Sequence, residues 1–444
     1  MKSSPTLRTA GSPGHPLRKH LLLVGAGHAH LHVLEQLAQH RPSDLDVTLL
    51  TPDAWQTYSG MVPGYVAGRY PLSACRIDVP PLLVAAGVRW LQGRCTGIDA
   101  ARSEVRVQPA AVVRAFGDRD ALEPANTSPT EASARAPLPD TLPYDFLSLD
   151  TGAVFDPQRL EADMPGALQH TLPVRPIDGF AAHWDALAQR LLPGNHTSWP
   201  TGQVRVPRPV TLAFVGGGAA SLELAMAAHE RLASSSNKAH SQQAHNPGTP
   251  QVQVVLVTGD APAAAGYAPG VQQRVLRQLQ HRGMRTVAQR CVGAQAGALL
   301  LADGSQLACD AAVLAVGTHA PRWLQGSGLA LTDTGHLAVN RFQQSTSHAN
   351  VFAAGDVASR VDAPHPKSGV YAVRAGPALV RNLLAATQGQ ALSAYQPPQR
   401  TLNLLSCGTH HAILSWGPLH TEGGWAWRLK DAIDRKFVAR YTLP

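Results

Sequence analysis

Residues 21–38 read LLLVGAGHAHLHVLEQLA: an apolar run ends at Gly25, Gly27 follows, and then Leu31, Leu34 and Ala38 recur on one face of a helix. This is the pattern of a strand that turns sharply into a helix beneath a phosphate. Gly25 permits the tight turn, and Gly27 lets the backbone approach a pyrophosphate closely. The unpaired N–H groups of the first helical turn are expected to offer an anion site. At the third position, where a small residue would let helix and strand pack closely, stands His30. His28, His30 and His32 alternate, and on a helix alternate residues diverge by about 200°, so only His28 and His32 share a face. With no third ligand nearby, a metal is not expected, and His28 is read as a packed or phosphate-facing residue.

The design recurs at 210–233, VTLAFVGGGAASLELAMAAHERLA, with Gly216, Gly217 and Gly218 in the turn and Ser221 as the small third residue. Two such turns in one chain point to two nucleotide-binding sheets. The strand after each turn should end in an acid for a ribose, but these end in Thr51 (VTLLT) and Thr258 (VVLVT), with Asp53 and Asp260 two residues beyond. A third element, STSHANVFAAGDVAS (345–359), carries a strand at Asn350–Ala353 into Gly355 and Asp356. A glycine turn beside an aspartate suits an acceptor for a ribityl or ribose hydroxyl, with the next helix N-terminus facing a phosphate or a flavin pyrimidine. Two more strand–turn segments lie where the chain would cross between units: YDFLSLDTGAVF (Asp150, Thr151, Gly152) and CDAAVLAVGTHAP (Val316, Gly317, Thr318).

The order of these parts, over nearly the whole chain, resembles the two-dinucleotide-binding flavoproteins related to glutathione reductase. The segments TYSGMVPGYVAGRY (57–70) and PKSGVYAVRAGPALVRNLL (366–384) resemble its NADH-dehydrogenase-like branch. More narrowly, they resemble the pyridine nucleotide oxidoreductase domain found alone or fused ahead of selenide, water dikinase. The resemblance implies an α/β fold with two Rossmann-like dinucleotide-binding domains. FAD would be held by 19–155 and 318–393, and NADH or NADPH by 156–317, flanked by a tail at 1–18 and a C-terminal extension at 394–444. Gly25, Gly27, His28, Thr51, Gly152, Gly355, Gly369 and Val370 would line the FAD site, and Asp356 would bind its ribityl-phosphate side. Gly216 and Gly218 would line the nicotinamide dinucleotide site. Glu223 would orient the carboxamide or its water, and Lys367, at the start of the helix facing the isoalloxazine, would stabilise negative charge on the reduced ring. The missing ribose acids leave NADH against NADPH open.

The implied reaction passes electrons from NAD(P)H through FAD to a small acceptor such as a quinone. Disulfide reductases of this superfamily carry paired cysteines where this chain has Thr57–Gly64 without Cys, so a redox disulfide is not expected there. Type II dehydrogenases have glutamines near the quinone site, where this chain reads Gly369–Gly376 without Gln, which leaves the acceptor open. The rival reading, a flavin-binding regulatory or partner-docking protein linked to selenium metabolism, is motivated by His30 and by the absent acids.

Composition narrows the remaining classes. A chain of 444 residues, 44% apolar, has enough material for two interleaved domains. Lys and Arg total 38 against 30 Asp and Glu, a thinly spread excess of 8 with no nucleic-acid-binding motif, so no nucleic-acid partner is expected. The five cysteines are widely spaced, with no CxxC pair. The first twenty residues lack an apolar h-region and Leu21–Val24 is too short to span a bilayer. A cytoplasmic protein is expected, with any membrane contact peripheral, on the inner face of the cell membrane. Stretches at about Pro109–Pro143, Pro193–Pro209 and Ser234–Pro250 lack periodicity and read as surface insertions. At the C-terminus Trp425, Leu429, Ile433, Phe437 and Tyr441 recur every fourth residue. This helix is a poor match to a membrane-surface helix because Lys436 and Arg440 intrude, and docking on its own protein or a second subunit is the commoner fate.

Overall fold

The computed structural model describes residues 18–109, 138–191, 209–242, 252–316 and 319–443. Its frame is two largely parallel sheets. In the first, of seven strands, Lys19–Val24 lies between Leu45–Thr51 and Phe146–Leu149, with Val351–Ala353 beyond the latter. Arg89–Asp99, Glu104–Pro109 and Thr141–Pro143 complete the other side, the last two antiparallel. A parallel strand covered on both faces must be apolar throughout, and Leu21, Leu22 and Leu23 are all fully buried. The second sheet has five parallel strands in the order Arg285–Val287, Val252–Val257, Val210–Val215, Ala311–Leu314, Leu172–Pro173.

In both sheets the strand before the glycine turn pairs with its successor on one side and with a strand from much later in the chain on the other. The strand order reverses at its C-terminal end, which opens the crevice where such sheets take ligands. The register pairs Val24 with Leu149 and Val215 with Leu314, so the crossover segments emerge directly beside Gly25 and Gly216.

Four helices build the site: α1 (His28–Gln39), α2 (Ala219–Gln242), α3 (Gly369–Thr387) and α4 (Gly424–Tyr441). Helix α1 lies against α3, where a Cβ on Gly376 would fall 2.3 Å from the His32 ring. Residues 57–70 leave the first unit and pack with the second: Met61, Val62, Tyr65 and Val66 share a core with Phe180, Trp184 and Leu222. Asp178 ties the same junction, accepting from Trp55 Nε1 at 2.9 Å, Thr57 Oγ1 at 2.8 Å and Arg76 Nη2 at 3.1 Å.

The C-terminal extension docks on its own chain. Its three-stranded antiparallel sheet (Leu402–Ser406, Ala412–Trp416, Leu419–Gly423) is fastened to the second unit by Glu422, which pairs with Arg274 at 2.7 Å and Arg277 at 3.0 Å. Helix α4 then crosses to the first unit, where Arg440 pairs with Glu35 at 2.6 Å and Tyr441 Oη lies 3.1 Å from His32 Nδ1. The four-residue stripe is therefore divided: Tyr441 is buried and Phe437 stacks on Tyr58, while Trp425, Leu429 and Ile433 face outward.

Two expectations change. The strand before Gly355 is Val351–Ala353, one residue shorter than read. The stretch from Ser234, read as an insertion, continues α2 to Gln242. A helix already nucleated by Ala219–Leu232 extends at one hydrogen bond per residue through polar residues that would not nucleate one alone. The rest of that stretch, most of the other two insertions, the first 17 residues and Gly317–Thr318 lie outside the described residues.

Candidate active site

The first turn is closed by Asp150, which lies 120 positions after His30. Gly25 has φ +86°, and a Cβ there would lie 2.5 Å from the Asp150 carbonyl oxygen; at Gly27 it would lie 2.4 Å from Asp150 Cγ. Only glycine admits both the left-handed angle and the approach. The Asp150 carboxylate accepts from Ala29 N at 2.7 Å and His30 N at 2.9 Å, and its carbonyl accepts from Gly27 N at 3.1 Å. The expectation that the first-turn amides of α1 stand free is thus corrected, because Asp150 holds two of them. His30 does not obstruct the turn: fully buried, its ring spans Gly25 O at 2.6 Å and Ser148 Oγ at 2.8 Å. Burial holds its pKa down at about 4, so the ring is neutral near pH 7.

Around this turn the structure gathers most of the residues expected to line the first site. Gly152 has φ +70°, and a Cβ there would meet none of the described residues within 4 Å, which leave that space open. Gly355, with φ +72°, approaches Asp150 Oδ1 so closely that a Cβ would fall 2.6 Å from it. Next to it the Asp356 carboxyl is raised by burial, against the opposing charges of Arg175, Lys367 and His365. Lys367 lies two residues before α3 rather than at its start, its ammonium bonded to Ala358 O and, at 2.8 Å, to Ser359 Oγ. Burial lowers it to about 8 while Asp356 pulls the other way, so it is largely protonated at neutral pH. Gly369 and Val370 open α3, whose first amides lack intrahelical partners, and Gly369 faces Ser59 across the crevice. Thr51 is buried at its strand end, and Asp53 stands half-buried beyond it.

His28 begins α1 packed edge-on to Tyr58 (5.5 Å between centroids) and beside Phe437 (5.7 Å), its Nε2 buried without a partner among the described residues. Arg175 escaped sequence reading. It follows the strand Leu172–Pro173, and its charge acts on both His28 and Asp356.

The second turn separates two kinds of glycine. Gly216, at φ +130°, would place a Cβ 2.6 Å from Ala315 O, and Gly217 2.9 Å from Thr258 O. At Gly218 a Cβ would meet none of the described residues within 4 Å. Ser221 is wholly buried behind the turn, while Asp260 is exposed beyond Thr258.

Glu223, one turn into α2, belongs to a buried polar cluster that the sequence did not announce. Its carboxylate accepts from Ser406 N at 2.7 Å. Burial raises its pKa, and the Lys430 ammonium opposes that rise. Lys430, from α4, donates to Gly60 O and to Asp434 Oδ2, both at 2.7 Å. Burial alone would lower its pKa, but Asp434 and Glu223 together hold it above its ordinary value. Tyr58 donates to Asp434 Oδ1 at 3.1 Å. The cluster thus joins α2, the Thr57–Gly64 segment and α4.

A family model for pyridine nucleotide-disulphide oxidoreductases matches residues 19–376. The chain belongs to that family. It is accordingly an FAD-dependent oxidoreductase that uses NAD(P)H. Among solved structures, NDH2 from Plasmodium falciparum in complex with NADH is similar in fold (TM-score 0.72, 12% identity, 96% of this chain and 99% of that one). So is the sulfide:quinone oxidoreductase of the hyperthermophilic bacterium Aquifex aeolicus (TM-score 0.70, 15% identity, 95% and 91%). The water-forming NADH oxidase of Lactobacillus brevis bound to NADH gives a TM-score of 0.64 at 16% identity, covering 90% and 75%. In this oxidoreductase the backbone is packed too tightly for side chains at Gly25, Gly27 and Gly216, and among the described residues the space over Gly152 and Gly218 is open.

Proposed function

We propose that FAD occupies the crevice of the first sheet, within 19–155 and 318–393, and NAD(P)H that of the second, within 156–317, and that electrons leave the flavin directly for a small acceptor such as a quinone, without a redox disulfide. The observation that carries the last clause is at Thr57–Gly64. There Tyr58 stacks on Phe437 with ring centroids 4.6 Å apart, and the segment holds no cysteine. All five cysteines are free, and burial raises each thiol, to about 12 at Cys75, Cys95 and Cys407, so none is a ready thiolate.

Bound FAD supplies the redox chemistry, taking electrons from NAD(P)H and passing them to the acceptor. The protein positions and polarises. Asp356 would accept from a ribityl hydroxyl, and Lys367 would keep a positive charge at the end where α3 begins, favouring negative charge on the pyrimidine side of the ring. Gly369 and Val370 would add the free amides of a helix N-terminus. Glu223, held by Ser406 and Lys430, would orient the nicotinamide carboxamide.

Among the described residues no helix is long and apolar enough to cross a membrane. The outward Trp425, Leu429 and Ile433 of α4, with Arg428 and Lys436 exposed beside them, support a peripheral rest on an anionic bilayer surface, where a lipid-soluble acceptor would be met. The test of the main reading is anaerobic titration of the yellow holoprotein with NADH and then NADPH, followed by a short-chain quinone and by a dithiol disulfide. Bleaching by either nucleotide and reoxidation by the quinone alone is expected. A flavin that neither nucleotide bleaches, or one reoxidised only by the disulfide, would overturn it.

A further inference from the structure

Asp150 stands where the family cofactor would need an empty anion site. It is 3% exposed, and its carboxylate already takes two first-turn amides of α1. Glycine turns enclose it: side chains added at Gly27 and Gly355 would strike its carboxyl at 2.4 and 2.6 Å. Among the described residues no cation pairs with it. From α1 it meets the backbone N–H groups of Ala29 and His30, and from the Gly355–Val357 turn the like charge of Asp356 acts on it. The nearby cations, Arg175 and Lys367, act on Asp356. From α3 the side of the turn is met by Ala372, which carries no charge.

We propose that Asp150 is an internal anion competing with the FAD pyrophosphate for the N-terminus of α1, and that the apoprotein takes up one proton on Asp150 as FAD binds. The proton comes from solvent and adds to the free carboxyl oxygen, while Oδ2 goes on accepting from Ala29 and His30. A positioning residue of this kind keeps the glycine turn in shape in the apoprotein without leaving two negative groups on one helix end in the holoprotein. Burial, with a smaller push from Asp356 and against its two amide bonds, already lifts this carboxyl to about 7. The added pyrophosphate moves it further in the same direction. FAD affinity is then flat below about pH 7 and falls roughly tenfold per pH unit above it, the slope that uptake of one proton imposes.

The inference rests on FAD lying over α1, so the experiment separates the two. Apoprotein is titrated with FAD by fluorescence quenching from pH 5.5 to 9, and proton uptake is read at pH 8 by calorimetry in buffers of different ionisation enthalpy. Wild type should weaken by at least tenfold between pH 7 and 8.5 and take up close to one proton. Asp150→Asn, which keeps an acceptor oxygen for both amides, should bind FAD with no slope and no uptake. Equal slopes in the two proteins, or no uptake in wild type, would overturn the role of Asp150. Should Asp150→Asn fail to fold, Asp150→Ser takes its place in both measurements, because Lys367, which burial lowers to about 8, can also gain a proton beside FAD. Retention of FAD by Gly25→Val would instead remove the placement over α1, and the inference with it.

Discussion

Gly218→Val probes the second crevice with little interference from the fold. Gly218 immediately precedes α2, its carbonyl accepting from Leu222 N at 3.1 Å, and none of the described residues lies within 4 Å of where its Cβ would stand. The neighbouring glycines differ: Gly216 is left-handed and 2.6 Å from Ala315 O, so a side chain there damages the fold before any ligand is involved. Exchanging glycine for valine at a helix cap costs on the order of 1 kcal/mol, which a domain stable by about 5–15 kcal/mol tolerates. A branched side chain above the first turn holds a pyrophosphate away from the amides. Loss of one charge-assisted hydrogen bond costs about 1.5–3 kcal/mol, or roughly 10- to 150-fold in affinity at 1.4 kcal/mol per decade. The variant should therefore purify yellow with the wild-type ratio of FAD to protein, and stopped-flow reduction should need about 10- to 150-fold more NAD(P)H for half-maximal rate. Unchanged NAD(P)H dependence, or loss of FAD together with NAD(P)H from a folded variant, would refute the reasoning.

Gly25→Val, forced into a left-handed angle 2.5 Å from a backbone carbonyl, should yield protein with little or no FAD, read from the ratio of absorbance at 450 and 280 nm, about zero against wild type. Lys430→Met should lower stability in urea by about 3–5 kcal/mol, because Asp434 and Glu223 lose the buried cation between them; adding Asp434→Leu should restore part of the loss. Replacing all five cysteines by Ser or Ala should leave flavin reduction and quinone reoxidation intact per mole of FAD, and failure of reoxidation alone would reveal a thiol relay. Exchanging Trp425, Leu429 and Ile433 together for Ser should leave the melting temperature nearly unchanged, since all three are exposed, while abolishing sedimentation with vesicles of anionic phospholipid; a wild type that does not sediment removes the membrane reading.

Strand–glycine–helix turns were legible because their chemistry is local. Gly25, Gly27, Gly216 and Gly355 sit where a chain reverses within three or four residues, and the apolar runs before them match the buried parallel strands they became. Lys367 was placed by resemblance at the start of α3, which begins two residues later, and its nearness to Asp356 came only from the tertiary structure. The run from Ser234 misled because propensity describes helix initiation better than continuation.

What the sequence by itself determined is therefore the pair of turns, the order of crossovers between them and the absence of paired cysteines at Thr57–Gly64. Each turn, and the missing cysteine pair, depends only on residues within one turn or strand of one another, and the order of crossovers is read along the chain. Tertiary structure alone decided that Asp150 closes the N-terminus of α1, since only the pairing of Val24 with Leu149 brings that carboxylate beside Gly25. It alone joined Glu223 on α2, Tyr58 on the crossing segment and Lys430 and Asp434 on α4 into one buried cluster. It also divided the C-terminal stripe into an inner half against α1 and an outer half facing solvent. These partners lie tens to hundreds of residues apart, and which of them meet is set by sheet register and helix docking, to which a local pattern is blind.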